Sequence, residues 1–313
     1  MRMILIFGSI SIEIILSGEY FSAKTNTVDE HSISVGGKGA AQAIAAARSG
    51  ADVTLVGRAG NDDFATILIN KLRDEEIETA SITRSTEQST GINIQLKDTV
   101  ADTKSFYAPA ANLEVLADHM PPSALNEKAF VLVQTELGSE VNAAALAAAK
   151  EAGATTIMNL SPALDLSQQT LDHLDYLIVN QDEAKQLAEK LGLSVEDEAI
   201  KIAEGLSKQG KLTCIVTIGD RGCVAYTEDK KGWQVGALDI DQNIIDRSGA
   251  QDAYCGVFVA CLRTGMTLAR SMKRASIAAS LACTKMGRID SLPSLDDIDR
   301  HINDLDDPEE ISA

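Results

Sequence analysis

The sequence DRSGAQDAY, residues 246–254, lies between a strand-like, β-branched run at 243–245 and an apolar segment with helical spacing at 253–262. The small residues of such a turn begin a helix whose first backbone N–H groups lack partners within the helix, so the turn can bind an anion. The carboxylate of Asp252 is explained if that anion is a phosphoryl group in transfer and Asp252 takes the proton of the attacking hydroxyl. It is explained equally well as an ordinary acidic residue in the first turn of a helix.

A second glycine-rich segment, GGKGAAQA at 36–43, precedes a helical pattern that runs to Ser49. It is not a Walker loop, because Gly39 follows Lys38 where a Ser or Thr would bind the metal ion. It is not a dinucleotide fingerprint either, because Gln42 stands where a third small residue is needed. Taken alone, the segment predicts a strand-to-helix turn in which glycines let the backbone approach a ligand.

Composition limits the classes of function. A chain of 313 residues with 45% hydrophobic content can bury a substantial core. A formal net charge of −18 argues against nucleic acid and anionic membranes as partners. The five cysteines form no C-x-x-C pair, which favours reduced thiols and a cytoplasmic location. The four histidines lack metal-ligand spacing, and no apolar run approaches membrane-spanning length.

Strand-like apolar runs alternate with amphipathic helical patterns along the chain. This alternation predicts an α/β fold of three layers, with a mostly parallel sheet between two layers of helices. Expected strands lie at 3–7, 53–56, 130–134, 155–159, 176–179 and 214–217, and expected helices at 39–49, 64–75, 140–152, 182–191, 196–208, 253–263 and 268–286. Alternating residues at 11–34 and 91–107 predict a second, small sheet that folds over the site as a lid. The acidic end at 304–310 is expected to be solvated and frayed.

Several segments, in this order along the chain, resemble motifs of the ribokinase-like (PfkB) family of carbohydrate kinases. The two segments above resemble the family's Gly-Gly-Lys-Gly and Gly-Ala-Gly-Asp motifs. The other resemblances are GSI at 8–10, NLSPA at 159–163, NQDE at 180–183 and TIGDRG at 217–222. They cover nearly the whole chain, and the likeness to the ribokinases of the family is strongest over 36–51.

The resemblance implies one ribokinase-like α/β domain, 1–313, with lid strands from about 11–34 and 91–107. It implies an ATP-dependent kinase that transfers the γ-phosphate to a hydroxyl, expected to be a primary one, of a pentose or hexose. The expected cofactors are ATP and Mg²⁺, with K⁺ as a further candidate, and a homodimer through the lid is a candidate assembly. Two alternatives stay open: a nucleoside or modified-sugar kinase of the same fold, and a weakly catalytic sugar- or nucleotide-binding protein.

The family's motifs also imply roles for individual residues. Asp252 would be the general base, and the anion hole would be formed by backbone N–H groups of Gly249, Ala250, Gln251 and Asp252 itself. Residues expected to bind the sugar are Ser11, Glu13, Gly37, Lys38, Ala41 and Glu136. Residues expected to bind ATP are Asn180, Thr217, Gly219 and Gly222. Glu183 would hold Mg²⁺ through water, and Asp246 and Ser248 would lie in a monovalent-cation loop.

Four positions depart from the family pattern. Gln251 replaces a glycine, so we expect it to crowd the phosphoryl path; a positive φ there would cost about 1–2 kcal/mol. Ser11, Glu13 and Ala41 stand where ribokinases have Asn, Asp and Asn as sugar ligands. Since polar pockets discriminate strongly between substrates, we expect D-ribose not to be the best acceptor.

Overall fold

The computed structural model describes residues 3–18, 27–98, 104–194, 198–240 and 244–312. Within these ranges the strands are β1 Ile4–Phe7, β2 Ser11–Gly18, β3 Glu30–Gly36, β4 Val53–Ala59, β5 Ile82–Arg84, β6 Gly91–Asp98, β7 Lys104–Ala108, β8 Phe130–Gln134, β9 Thr155–Asn159, β10 Tyr176–Asn180, β11 Thr213–Thr217, β12 Cys223–Tyr226, β13 Gly232–Val235 and β14 Glu309–Ile311. The α-helices are α1 Lys38–Arg48, α2 Asp63–Asp74, α3 Ser139–Glu151, α4 Gln168–Asp172, α5 Gln181–Lys190, α6 Ala199–Gly210, α7 Ala250–Arg263, α8 Leu268–Ala282 and α9 Leu295–Arg300.

The main sheet of the described residues has ten strands, in the order β14-β13-β12-β11-β10-β9-β8-β1-β4-β5. The seven strands from β11 to β5 run parallel, and β12, β13 and β14 complete the sheet as antiparallel strands. The mostly parallel sheet flanked by helices confirms the predicted fold class.

Alternation along the strands builds a hydrophobic core on each face of this sheet. In β1, Ile4 and Ile6 belong to the core that also contains residues of α1, α7 and α8, whereas Leu5 and Phe7 belong to the core that contains residues of α3 and α6. All four side chains are fully buried. A strand covered on both faces reads as a continuous apolar run, which explains why six of the seven parallel strands were recognisable in the sequence. The short strand β5 was not predicted.

The second sheet has four strands in the described residues, in the order β3-β2-β6-β7. β2 pairs antiparallel with β3 and parallel with β6, and β6 pairs antiparallel with β7. Its strands fall in the two stretches whose residues alternate between polar and apolar. Because neighbouring residues of a strand point to opposite faces, Glu13 and Ile14 of β2 lie on opposite sides of this sheet.

Two local expectations differ from the structure, and one extension of the main sheet was not predicted. Ile244 and Ile245 precede the α7 turn but form no strand, and residue 243 lies outside the described residues. The chain end is not wholly frayed, because Glu309–Ile311 pairs with the edge strand β13. β12 and β13, which form a short antiparallel extension of the sheet, carried no signal that distinguished them from loops.

No helix in the described ranges is long and apolar enough to cross a membrane.

Candidate active site

The candidate site lies at the carboxyl ends of the parallel strands, where open α/β sheets bind ligands. Asn159, Asn180 and Thr217 end β9, β10 and β11. Glu136 lies in the short 3₁₀ helix Thr135–Leu137 that follows β8. Asp252, in the first turn of α7, lies at the same edge, because Nε2 of Gln42 donates hydrogen bonds both to Asp252 and to Asn159 at the end of β9. The predicted site residues thus come from distant parts of the chain to one edge of the sheet.

Asp252 is only 1% exposed. Its Oδ1 accepts a 3.0 Å hydrogen bond from Nε2 of Gln42, and its Oδ2 accepts a 2.8 Å hydrogen bond from Nη1 of Arg288. The two donors belong to α1 and to the segment after α8, so each carboxylate oxygen is held from a different side. The ion pair with Arg288 supplies the countercharge that a buried carboxylate requires.

Gln42 is a site residue that the sequence analysis did not identify. Its Oε1 accepts a 2.8 Å hydrogen bond from Nε2 of Gln134, and its own Nε2 also donates to Oδ1 of Asn159 at 3.0 Å. Because Gln134 donates to the carbonyl oxygen of the Gln42 amide, the NH₂ group must face Asp252. Its position in the sequence could have indicated it, because Gln42 lies one turn after Lys38 and is the only polar side chain between Gly39 and Ala47 of α1.

The N-terminus of α7 has backbone donors available to a ligand. Gly249 occupies the N-cap position, and no side chain caps the helix. Ala250 N–H donates to the carbonyl of Arg247 at 3.2 Å. No described residue accepts the N–H of Gln251 or of Asp252. These two amides and the positive end of the helix dipole are therefore the groups at this helix start that an anion could contact.

Gln251 has an ordinary helical backbone, because it lies within α7 and does not have a positive φ. The strain expected if φ were positive is therefore absent. Its Nε2 is buried and has no hydrogen-bond partner in the described part of the chain. A buried amide donor without a partner lowers the stability of the fold. An anionic ligand that accepts a hydrogen bond from this amide would remove that cost.

Arg288 is the second site residue that the sequence analysis missed, since no quoted motif includes it. Besides its bond to Asp252, its Nε lies 3.9 Å from Oε1 of Glu13, and that nitrogen is buried without a hydrogen-bond partner among the described residues. Burial alone would lower the pKa of Arg288, but the charges of Asp252, Glu13 and Glu136 outweigh it and raise this pKa. One guanidinium thus lies among three carboxylates.

Glu13 extends from the second sheet towards Asp252 and is 2% exposed. Its Oε1 accepts hydrogen bonds from Nδ2 of Asn93 at 3.1 Å and from Nε2 of Gln95 at 2.7 Å. Both donors belong to the neighbouring strand β6 and were not predicted. Ser11 is also buried, and its Oγ has no partner in the described residues. The second sheet therefore brings a held carboxylate and an unpaired hydroxyl to this side of the site.

Three other predicted sugar-binding positions have structural explanations of their own. Glu136 Oε2 accepts hydrogen bonds from Lys38 N–H at 3.0 Å and from the Ser9 hydroxyl, so it caps the N-terminus of α1 from outside the helix. Gly37 has φ 89°, and a Cβ there would lie 2.7 Å from the Ser9 carbonyl oxygen. Ala41 is fully buried in the hydrophobic core.

A cavity of about 660 Å³ adjoins the N-terminus of α7. All four residues predicted to bind ATP line it, together with two from the start of α7: Asn180, Thr217, Gly219, Gly222, Ala250 and Gln251. Leu238, Ile240 and Ala279 form part of its apolar wall. A concave pocket with an apolar wall at one end and helix N–H donors at the other suits a ligand with a flat ring and an anionic tail.

Asn180 and Glu183 form a reciprocal cap at the start of α5. Oδ1 of Asn180 accepts from Glu183 N–H at 2.8 Å, and Oε2 of Glu183 accepts from Asn180 N–H at 2.9 Å. Glu183 is only 6% exposed, so it is not an ordinary surface residue. The described residues contain no cluster of three or more acidic, His or Cys side chains suited to a metal. A metal here would depend largely on water and ligand oxygens, which is how Mg²⁺ commonly binds.

The predicted cation loop is a network of donors around one carboxylate. Oδ1 of Asp246 accepts from Ser248 N–H at 3.0 Å, and Oδ2 accepts from Gly287 N–H at 3.0 Å. Lys97 Nζ lies 3.4 Å from the same Oδ2. Burial alone would raise the pKa of Asp246, but these backbone hydrogen bonds and the charge of Lys97 lower it.

Comparisons with known proteins identify the family and the fold. The model of the family described as "pfkB family carbohydrate kinase" matches residues 1–295. A ribokinase from Lactococcus lactis is 27% identical over 98% of this chain and 99% of its own length. The chain spans about half of a bifunctional ribokinase/ribose-5-phosphate isomerase A from Fructilactobacillus sanfranciscensis: 28% identity over 97% of this chain and 56% of that protein.

Solved structures show the same fold. A ribokinase from Thermotoga maritima superposes with a TM-score of 0.87 at 26% identity, covering 97% of this chain and all 100% of the other. A ribokinase from Arabidopsis thaliana, solved with ribose and ATP, has a TM-score of 0.86 at 21% identity, covering 96% and 98% of the two chains. Together with the family match, these findings show that the chain belongs to the pfkB family of carbohydrate kinases, which are phosphotransferases with an alcohol group as acceptor.

Proposed function

We propose that this kinase transfers the γ-phosphate of ATP to a primary hydroxyl of a pentose or hexose, with Asp252 as general base. The observation that carries the proposal is a buried carboxylate at the uncapped N-terminus of α7, held by Gln42 and Arg288. The acceptor hydroxyl gives its proton to Asp252 as its oxygen bonds to the γ-phosphorus. The bond from that phosphorus to the bridging oxygen breaks, and ADP leaves.

In this proposal, the start of α7 stabilises the charge that develops on the transferring group. The N–H groups of Gln251 and Asp252 supply preorganised donors, and the Gln251 amide adds a side-chain donor. Phosphoryl transfer needs little covalent chemistry from the protein, so positioning and electrostatic stabilisation provide most of the rate. The hydrogen bonds from Gln42 and Arg288 contribute to positioning, because they orient the carboxylate of Asp252.

ATP would occupy the cavity of about 660 Å³, with its phosphates towards Gln251 and its base against the apolar wall. Mg²⁺ would neutralise phosphate charge, with Glu183 reaching it through water. Thr217 and Gly219 line the cavity where phosphates and ribose would lie. Lys38, the helix N-terminus and Mg²⁺ would make the site locally positive in a chain with a net charge of −18.

The acceptor would bind between α7 and the second sheet, in contact with Ser11, Glu13 and Lys38. Arg288 and Glu13 give this region an ion pair that limits which hydroxyl pattern fits. We therefore keep D-ribose as a substrate to test but not as the expected best one. A buried Oγ on Ser11 and a buried Nε on Arg288, both without partners in the described residues, would bind the acceptor's oxygens.

We also propose that the second sheet is the lid of a single domain and the surface through which two copies associate. Register places Ile33, Ile14, Ile94 and Phe106 in one row across all four strands, on the side opposite Glu13. Ile33 and Phe106 are more than half exposed, at 54% and 56%. An apolar row of this kind fits a second copy of the same row. A cytoplasmic location stays a prediction.

The test is a measurement of ADP release with ATP, Mg²⁺ and a panel of pentoses, hexoses, deoxy sugars, sugar acids and nucleosides. Mass spectrometry of each product identifies the phosphorylated acceptor. We expect one class of free sugar to give the highest kcat/KM. A nucleoside as the best acceptor would support the alternative of a nucleoside kinase, and no phosphorylated product from any acceptor would contradict the proposal.

A further inference from the structure

A lysine of the second sheet reaches the loop that precedes α7. Lys97, near the end of β6, places Nζ 3.4 Å from Oδ2 of Asp246 and 3.2 Å from Sδ of Met286. The ion pair is largely shielded from solvent, with side-chain exposures of 24% for Lys97 and 12% for Asp246. Such shielding weakens the effect of salt on the pair. Lys97 thus provides a fixed positive charge at Asp246.

Lys97 occupies the position beside Asp246 that a metal ion would need. Hard cations bind to oxygen lone pairs. Here both carboxylate oxygens accept backbone N–H hydrogens, from Ser248 and Gly287. The nearby carbonyl of Cys283 also accepts two, from Ile245 at 2.8 Å and Asp246 at 3.3 Å. Oδ2 of Asp246 already faces both the Gly287 N–H and the Lys97 ammonium group, so a monovalent cation could bind to this oxygen only in place of Lys97.

We propose that the ammonium group of Lys97 takes the place of a monovalent cation in this kinase. The Lys97–Asp246 pair holds the turn that ends at Gly249, the N-cap of α7, and so fixes the anion hole at Gln251 and Asp252. The enzyme is accordingly independent of K⁺, Na⁺ and NH₄⁺. This inference rests on the proposed kinase function, since it concerns the same helix N-terminus.

The first measurement compares the wild-type chain in potassium chloride and in tetramethylammonium chloride at equal ionic strength. Tetramethylammonium is too large to bind in the loop. We expect kcat/KM to differ by less than about twofold between the two salts, because loss of a cation that held the anion hole would cost far more. Activation of the wild-type enzyme by roughly tenfold or more in potassium chloride would overturn the proposal.

The second measurement uses Lys97→Met, which keeps the length of the side chain but removes its charge. We expect kcat/KM to fall by roughly tenfold in tetramethylammonium chloride and to recover when potassium or ammonium chloride is added. Lys104→Met on the neighbouring strand β7 is the matched control, because Lys104 is exposed. It should behave like the wild type in every salt. A Lys97→Met enzyme that keeps full activity, or that no cation restores, would overturn the proposal.

A third measurement needs no acceptor and so separates this inference from the proposed function. Thermal unfolding of both variants and of the wild type is followed in the same two salts. We expect potassium chloride to raise the Tm of Lys97→Met selectively, because only that variant has an uncompensated Asp246. If no acceptor is found but this selective rise occurs, the inference stands while the proposed function fails. Equal salt responses in all three proteins would overturn the inference.

Discussion

At the scale of single residues, the site depends on how Asp252 is held. Gln42 and Arg288 each engage one of its oxygens, and Gln134 fixes the orientation of Gln42. Both amides and the guanidinium come from segments far from residue 252 in the chain. If Asp252 is the base, as proposed, holding it through several buried donors lowers the reorganisation needed when the acceptor binds.

Gln251 provides a direct test of the anion hole. Because its Nε2 is buried without a partner in the described residues, we now expect it to donate to phosphate rather than to crowd the phosphoryl path. Gln251→Gly should lower kcat by roughly tenfold, the equivalent of about 1.4 kcal/mol. Gln251→Glu, which keeps the shape but brings a negative charge, should lower it further. An increase in kcat for Gln251→Gly would show that crowding was the correct interpretation.

Arg288 should matter for stability as well as for activity. Arg288→Met leaves Asp252 buried without a countercharge, which should reduce the free energy of unfolding by about 3–5 kcal/mol in urea titrations. Adding Asp252→Asn should recover much of that loss, because the two residues interact directly. Arg300→Met, which removes an exposed ion pair with Asp297, is the control and should change stability by less than about 1 kcal/mol. Additive effects of the two site changes would contradict the coupling.

At the scale of helices and strands, α7 and α5 differ in how they begin at the candidate site. α7 begins at Gly249 with no side-chain cap, whereas α5 begins with a reciprocal cap from Asn180 and Glu183. The small residues of the turn at 246–254 already predicted an anion site at the start of α7. The sequence could not indicate Arg288, since that residue reaches Asp252 only after α8 and the loop beyond it pack against α7.

The packing of that loop depends on an ion pair between α1 and α2. Arg48 donates to the carbonyls of Ile289 and Leu292, which lie in the loop between α8 and α9. It also donates to the carboxylate of Glu75 at the end of α2. The hydrogen bond from Arg48 is the main reason that the pKa of Glu75 is lowered from 4.5 to about 2. The arginine thereby links two helix ends to the segment that carries Arg288.

Glu75→Gln should therefore destabilise the protein in a pH-dependent way. The lowered pKa in the folded state means that Glu75 stabilises the fold above pH 4.5 and that this contribution is lost as pH falls from 4.5 towards about 2. At neutral pH the loss should be at most about 3 kcal/mol, and less to the extent that solvent screens the pair. Urea unfolding of the two proteins across this range should give curves that converge at low pH. A constant difference at all pH values would contradict the assignment.

At the scale of the whole molecule, the main sheet has one hydrophobic core on each face and carries the candidate site at the carboxyl ends of its parallel strands. Glu13 and Lys97 of the second sheet contact the segments around this site. Continuous apolar strands and period-two alternation made both sheets predictable from the sequence. The antiparallel extension β12–β14 was not predictable, because its short strands lie at the sheet edge and β14 forms only by pairing with β13. Most motif positions do lie at the carboxyl edge of the parallel strands. The side chains that bind them, such as Gln42 and Arg288 at Asp252, could not be predicted because they come together only through tertiary packing.

The assembly prediction belongs to this scale. Phe106→Glu places a charge in the apolar row of the second sheet, and burial of an unpaired charge between two copies is costly. We expect light scattering during gel filtration to show a dimer for the wild type and a monomer for the variant. Leu113→Glu, at an equally exposed site outside the row, is the control and should stay dimeric. A monomeric wild type would remove the basis for the proposed interface.

Asp252→Asn tests the central claim most directly, because it removes the proposed proton acceptor and leaves size nearly unchanged. With the best acceptor, kcat should fall by about 10²–10⁴-fold, the usual range for loss of a general base. The Kd for ATP, measured by calorimetry, should change little, since Asp252 is not among the residues that line the cavity proposed to bind ATP. Asp290→Asn, in the same loop as Arg288 but exposed, should keep wild-type kcat. Near-normal turnover by Asp252→Asn would contradict the account.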